Sequence, residues 1–137
     1  MKTTGIYWMV ITVALMMCSA GVNAQVTVVA KKAWTKTEIS VVNGDRIVIQ
    51  VTGTITLDPN VKCTPEGLRI VSGPEHVMMK GFNRGGLICK VGKKGIPFYI
   101  GAGNTVNVAG TGVLFFGVND DKVKNNAGEY KVTVTVN

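Results

Sequence analysis

Five oxygen-bearing side chains crowd one short stretch, Gly117 to Tyr130, GVNDDKVKNNAGEY: Asn119, Asp120, Asp121, Asn125 and Asn126. Asp120 and Asp121 offer carboxylate charge. Asn125 and Asn126 offer neutral carbonyl oxygens, and Gly128 lets the chain bend closely. Calcium takes six to eight oxygens of these kinds, so an oxygen cage for a cation is one reading. The spacing is not that of an EF-hand, so the cage would be of another type. The other reading is a polar turn, because Asp and Asn favour turns by bonding to their own backbone. Lys122 and Lys124 lie in the same stretch, and an ammonium close by opposes a bound cation.

Other chemistry is sparse. His76 is the single histidine of the chain, which limits acid–base catalysis. There is no G-x-S-x-G nucleophile turn, and Gly101-Ala102-Gly103 lacks the Gly-Lys-Ser/Thr of a phosphate loop. The chain is therefore expected to be non-enzymatic. Trp34 is expected in the core, with a sugar platform or a surface anchor as alternatives. Cys63 and Cys89 are an even pair in a chain that reads as exported, so a disulfide is expected. It would close a loop worth roughly 3 kcal/mol on the chain-entropy estimate. Two cysteines and one histidine do not match structural zinc spacings.

Export is read from the first 24 residues. Lys2 is followed by the apolar run Ile6–Met17 and by Val22-Asn23-Ala24, the charged, apolar, small-residue order of a signal peptide. The run is too short to span a membrane. Cleavage after Ala24 would leave Gln25–Asn137 as one domain, periplasmic or secreted. Of 15 basic side chains Lys2 leaves with the leader, so 14 face 8 acids and the mature net charge is +6. The lysines are scattered without a helical stripe, so no nucleic acid partner is expected. An anionic surface polymer suits the charge better.

The elements that must position these residues are strands. Helix signals are nearly absent after the leader. Strand patterns recur at Gln25–Ala30, Glu38–Val42, Arg46–Leu57, Gly86–Val91, Ile96–Ile100, Thr105–Ala109, Gly112–Val118 and Glu129–Val136. Asn43-Gly44 reads as a hairpin turn, Gly53 as a bulge or bend, and Leu68–Val71 as a further short strand. In the last strand Tyr130, Val132, Val134 and Val136 share one face, Lys131, Thr133 and Thr135 the other, so one face is buried. About eight short strands and no helix imply an all-β fold, an antiparallel β-sandwich, with a closed barrel as the alternative.

The blocks GVNDDKVKNNAGEYKVTV, Gly53–Pro59 with Pro65-Glu66-Gly67, and Gly86–Gly92 with Ile96–Gly101 occur in this order over nearly the whole mature chain. Together they resemble the LecA-type, calcium-dependent galactophilic lectins of bacteria and related domains. The resemblance implies a jelly-roll-like sandwich with one Ca²⁺ in the last loop. Its ligands would be Asp120, Asn125, Asn126 and the backbone carbonyl of Leu57, with Asp121 as an additional candidate. Sugar hydroxyls would complete the calcium shell, with Asp120 and Asn125 also bonding the sugar. The histidine and glutamine that contact sugar in the family have no match in Leu68–Ser72, and His76 is the candidate substitute.

The expected function is an exported carbohydrate-binding protein with a glycoconjugate partner, a homo-oligomer being compatible with the family. The alternative is an envelope or secretion-system accessory protein that keeps the sandwich without binding sugar.

Overall fold

The alternation of Tyr130, Val132 and Val134 with Lys131, Thr133 and Thr135 makes the last strand a ridge of buried apolar groups. All three apolar side chains are fully buried. Around this ridge the computed structural model, which describes residues 21–69 and 76–137, arranges nine strands. In chain order they are β1 (Val22–Val29), β2 (Thr35–Val41), β3 (Arg46–Leu57), β4 (Val61–Cys63), β5 (Leu87–Val91), β6 (Phe98–Tyr99), β7 (Gly103–Asn107), β8 (Gly112–Val118) and β9 (Ala127–Val136). No helix occurs among the described residues.

The strands form two antiparallel sheets packed as a sandwich. One sheet runs β1-β9-β3-β4, with β7 also on β3; the other runs β2-β8-β5-β6. β3 is long enough to take three partners. One edge pairs with β9 throughout. The other pairs with β7 over Arg46–Gln50 and with β4 over Ile55–Leu57. Between those partners lies Gly53, with φ of +108°. A Cβ there would meet the Glu129 carbonyl oxygen at 2.8 Å, so glycine permits the close approach of β9. Gly53 is not a bulge: Gly53 pairs with Tyr130 in an unshifted register from Ile47↔Val136 to Thr56↔Ala127.

Inward side chains of both sheets meet in one core, with Ile47, Ile49, Ile55, Leu57, Val132 and Val134 facing Leu87, Cys89, Leu114 and Phe116. Burying each such aliphatic group contributes about 1.5–3 kcal/mol, and this fixes the register, because a one-residue slip would turn the apolar set outward.

Three expectations are corrected. Asn43-Gly44 is not a hairpin turn: β2 belongs to one sheet and β3 to the other, so the turn carries the chain across the sandwich. The Cys63–Cys89 disulfide is absent. Cys63 closes β4 in one sheet and Cys89 lies within β5 in the other, and both are free and buried. The Cys63 thiol lies 3.6 Å from the Tyr130 hydroxyl and 3.2 Å from the Thr64 carbonyl, whereas Cys89 faces the Lys90 carbonyl at 3.9 Å. Burial pushes the Cys89 thiol up to about 12 and also raises Cys63. Finally, Val61–Cys63 forms a strand that the pattern does not announce. Of the expected Leu68–Val71 strand, Leu68 makes an isolated bridge to Arg84 and Arg69 is in no strand; Ile70 and Val71 lie outside the described residues.

Most of the expected leader also lies outside them. Its last residues do not: Val22, Asn23 and Ala24 pair with Val136, Thr135 and Val134. Cleavage after Ala24 would leave Gln25–Val29 to hold that edge.

Candidate functional site

The loop from Asn119 to Asn126 joins β8 of one sheet to β9 of the other, so it must close one end of the sandwich. Three of its polar side chains are buried there: Asn119 and Asp120 fully, Asn126 to 1% exposure. Buried polar groups are costly unless hydrogen-bonded, and these are bonded by residues far off in sequence.

Asn119 anchors the neighbouring segment. Its Oδ1 accepts the Met78 and Met79 amides at 3.0 and 2.7 Å. Its Nδ2 faces the carbonyls of Met79, Phe82 and Asn83 at 3.2, 3.3 and 3.1 Å. Its own backbone pairs with Gly85 and Gly86. This clamp places Arg84 over the loop. Gly85, with φ of +82°, is required beside it: a Cβ would meet the Cys63 sulfur at 2.6 Å and Leu57 Cδ1 at 2.8 Å.

Asp120 and Asn126 lie together. Asn126 Nδ2 donates to Asp120 Oδ2 at 2.8 Å and faces the Ala30 carbonyl at 3.3 Å, while Asn126 Oδ1 accepts the Asp58 amide at 3.0 Å. Asp120 Oδ1 accepts the Lys122 amide at 3.0 Å. The Arg84 guanidinium then reaches Asp120 Oδ2 at 3.3 Å and the Asp58 carbonyl at 3.1 Å through one nitrogen. The Arg84 side chain is 20% exposed, the Asp120 side chain not at all.

The other sequence candidates are placed differently. Asn125 is exposed on the turn. Asp121 is exposed and pairs with His76, Nδ1 to Oδ1 at 3.5 Å, while the Asp121 amide donates to the His76 carbonyl. Leu57 buries its side chain and ends the β3–β4 pairing opposite Val61; the carbonyl of the next residue, Asp58, accepts from Arg84. Trp34 is half-buried outside the apolar cluster, with the Lys90 ammonium 4.2 Å from its ring centre. Two residues before Arg84, the exposed Phe82 stacks on Tyr99 at 5.1 Å.

These residues do not fit a calcium ion. Asn126 turns its amide nitrogen, not its oxygen, toward Asp120, and its oxygen is committed to the Asp58 amide. Both Asp120 oxygens already accept donors, one from a cation.

Arg84 is the residue that sequence reasoning misses. It lies in the irregular Gly-Phe-Asn-Arg-Gly-Gly segment, and its partner Asp120 is 36 residues away. The only signal is a single cation flanked by residues that permit tight backbone packing.

No family model matches the chain, and no curated protein does. Among solved structures it is similar to one described as the EclA N-terminal domain, a PllA-like lectin. The TM-score is 0.64 at 24% identity, over 82% of this chain and 95% of that one. The likeness establishes a lectin-like β-sandwich fold.

Proposed function

We propose that the protein is a non-enzymatic, lectin-like carbohydrate-binding protein whose ligand meets the end of the sandwich closed by the Asn119–Asn126 loop. The observation that carries this reading is the likeness to a lectin domain over 95% of that domain's length. The assembled polar end adds support. The LecA-type affiliation belongs to the same proposal, as does export through the leader at residues 1–24.

The groups a sugar can reach are at the rim. Arg84 offers donors, the paired His76 and Asp121 offer both donor and acceptor, and Asn125 offers its amide. Phe82 presents an apolar ring of the kind that suits a sugar's apolar face. Asp120 acts from beneath, holding Asn126 and Arg84 in place without touching the ligand. No bond is made or broken.

The test is a glycan array carrying neutral and acidic glycans, with and without chelator, probed with the mature protein and its Asp121→Ala variant. Binding to a defined glycan class that weakens tenfold or more in the variant is expected. No binding to any glycan would sink the reading. Retention on acidic polymers that salt abolishes would support the interaction-protein alternative instead.

A further inference from the structure

We infer that Arg84 is the resident cation of this site, neutralising Asp120 where a divalent ion would otherwise have to, so that the protein needs no metal to assemble its polar end. The inference rests on the geometry of Arg84, Asp120, Asp58 and Asn126. It stands or falls separately from the sugar reading.

A fully buried carboxylate must find compensating charge or several hydrogen bonds. Asp120 has both: two neutral donors, the Lys122 amide and Asn126 Nδ2, and one cation, the Arg84 guanidinium. The same guanidinium nitrogen faces the Asp58 carbonyl. A carboxylate oxygen and a backbone carbonyl converging on one positive centre is the donor set a hard cation would use. Here the positive centre is attached to the chain. Its Gly85 neighbour and the Asn119 clamp keep it there.

Two further features suit an organic cation over a metal. Guanidinium donates hydrogen bonds, so it coexists with the inward amide nitrogen of Asn126, which a metal would repel. It is also tethered to the chain and cannot dissociate. Its site therefore stays neutralised without an exchangeable ion.

The test uses the mature protein, its Arg84→Met variant and its Asp120→Asn variant, each stripped with chelator. Calorimetric titration of wild type with calcium is expected to give no saturable heat, and its Tm is expected to be the same in chelator and in millimolar calcium. Arg84→Met is expected to melt roughly 5 °C or more below wild type in chelator, and calcium is not expected to restore it, because the Asn126 amide nitrogen still faces Asp120. Saturable calcium uptake by wild type that Asp120→Asn abolishes would overturn the inference. So would an Arg84→Met variant that melts like wild type in chelator, or one that calcium restores to the wild-type Tm. If Arg84→Met does not fold, the wild-type and Asp120→Asn titrations still decide.

Discussion

The two ends of the sandwich are closed by different means. At one end the Asn119–Asn126 loop buries Asn119, Asp120 and Asn126 and satisfies them through side chains from distant segments. At the other end the turns after β2, β5 and β7 are tied largely backbone to backbone. Gly44 donates to the Val108 carbonyl at 2.8 Å, Val108 to Asp45 at 2.7 Å, and Gly92 to Val113 at 2.8 Å. Apolar side chains there stand in water, Ile96 at 88% exposure and Val42 at 56%. The second end relies mainly on backbone geometry, with the Asp45 carboxylate and the Thr111 hydroxyl accepting the Val42 and Asn43 amides. The first depends on side-chain identity, and such dependence is a mark of a site, because loops positioned by a rigid scaffold carry function.

The largest expected break in this contrast is Asn119→Ala. It would strip the acceptor from two amides and the donor from a ring of carbonyls, all at the edge of the core. Unsatisfied buried groups cost about 1–3 kcal/mol each, so a loss of about 3 kcal/mol or more is expected in urea unfolding. A loss under about 1 kcal/mol would mean that the polar end is dispensable.

Tyr130→Phe probes the seam between that end and the core. The Tyr130 hydroxyl lies 2.8 Å from the Thr64 carbonyl and 2.9 Å from that of Gly85, so it ties the segments flanking Arg84 to β9. Its removal is expected to cost about 2 kcal/mol. Amide hydrogen exchange should rise around Gly85 but not around Gly44; a rise at both ends would show that the ends are not independent.

A smaller, pH-dependent effect comes from the core beneath. The buried Cys89 thiol is pushed up to about 12 from an ordinary value of 9.0. The folded value is the higher, so the neutral thiol's contribution is complete below about pH 9 and is lost as pH rises from about 9 to about 12. At pH 10 the loss is about 1 kcal/mol. Wild type should therefore lose more stability than Cys89→Ala between pH 8 and pH 10; equal losses would exclude Cys89 as a source. Denatured without reductant, the mature protein should titrate two free thiols.

Strand patterns were legible because each strand carries its own evidence. Arg46–Leu57 and Gly112–Val118 are read from apolar, β-favouring runs bounded by turn residues, and the structure gives the same limits. Partnership was not legible in the same way. Asn43-Gly44 has the chemistry of a hairpin turn, yet sheet assignment is set by which core face β2 and β3 share, a non-local property. Asp120 with Asn126 was readable because six residues separate them. Arg84 with Asp120 was not, because nothing local marks a cation that acts 36 residues away. The cysteines misled for a related reason: even number and export suggest a bridge, whereas each thiol is buried against other groups, Cys63 beside Tyr130 and Thr64, Cys89 beside the Lys90 carbonyl.

The smallest expected effect is the sharpest check on the contrast. Ile96 is almost wholly exposed, and its neighbour Gly95 is held by a backbone bond to the Gly92 carbonyl at 3.1 Å. Ile96→Ser removes no buried area and no hydrogen bond, so stability should change by less than about 0.5 kcal/mol. Ligand binding at the Asp120 end should be untouched, since the two ends share no side chain. Ile96 does border an open hollow with Val91, Phe98, Val106 and Val108. A substantial loss of stability would therefore mean that Ile96 packs into that hollow in solution, and that both ends rely on side chains. An unchanged melt with unchanged glycan binding would leave the asymmetry intact: one end ordered by buried polar side chains, the other largely by its backbone.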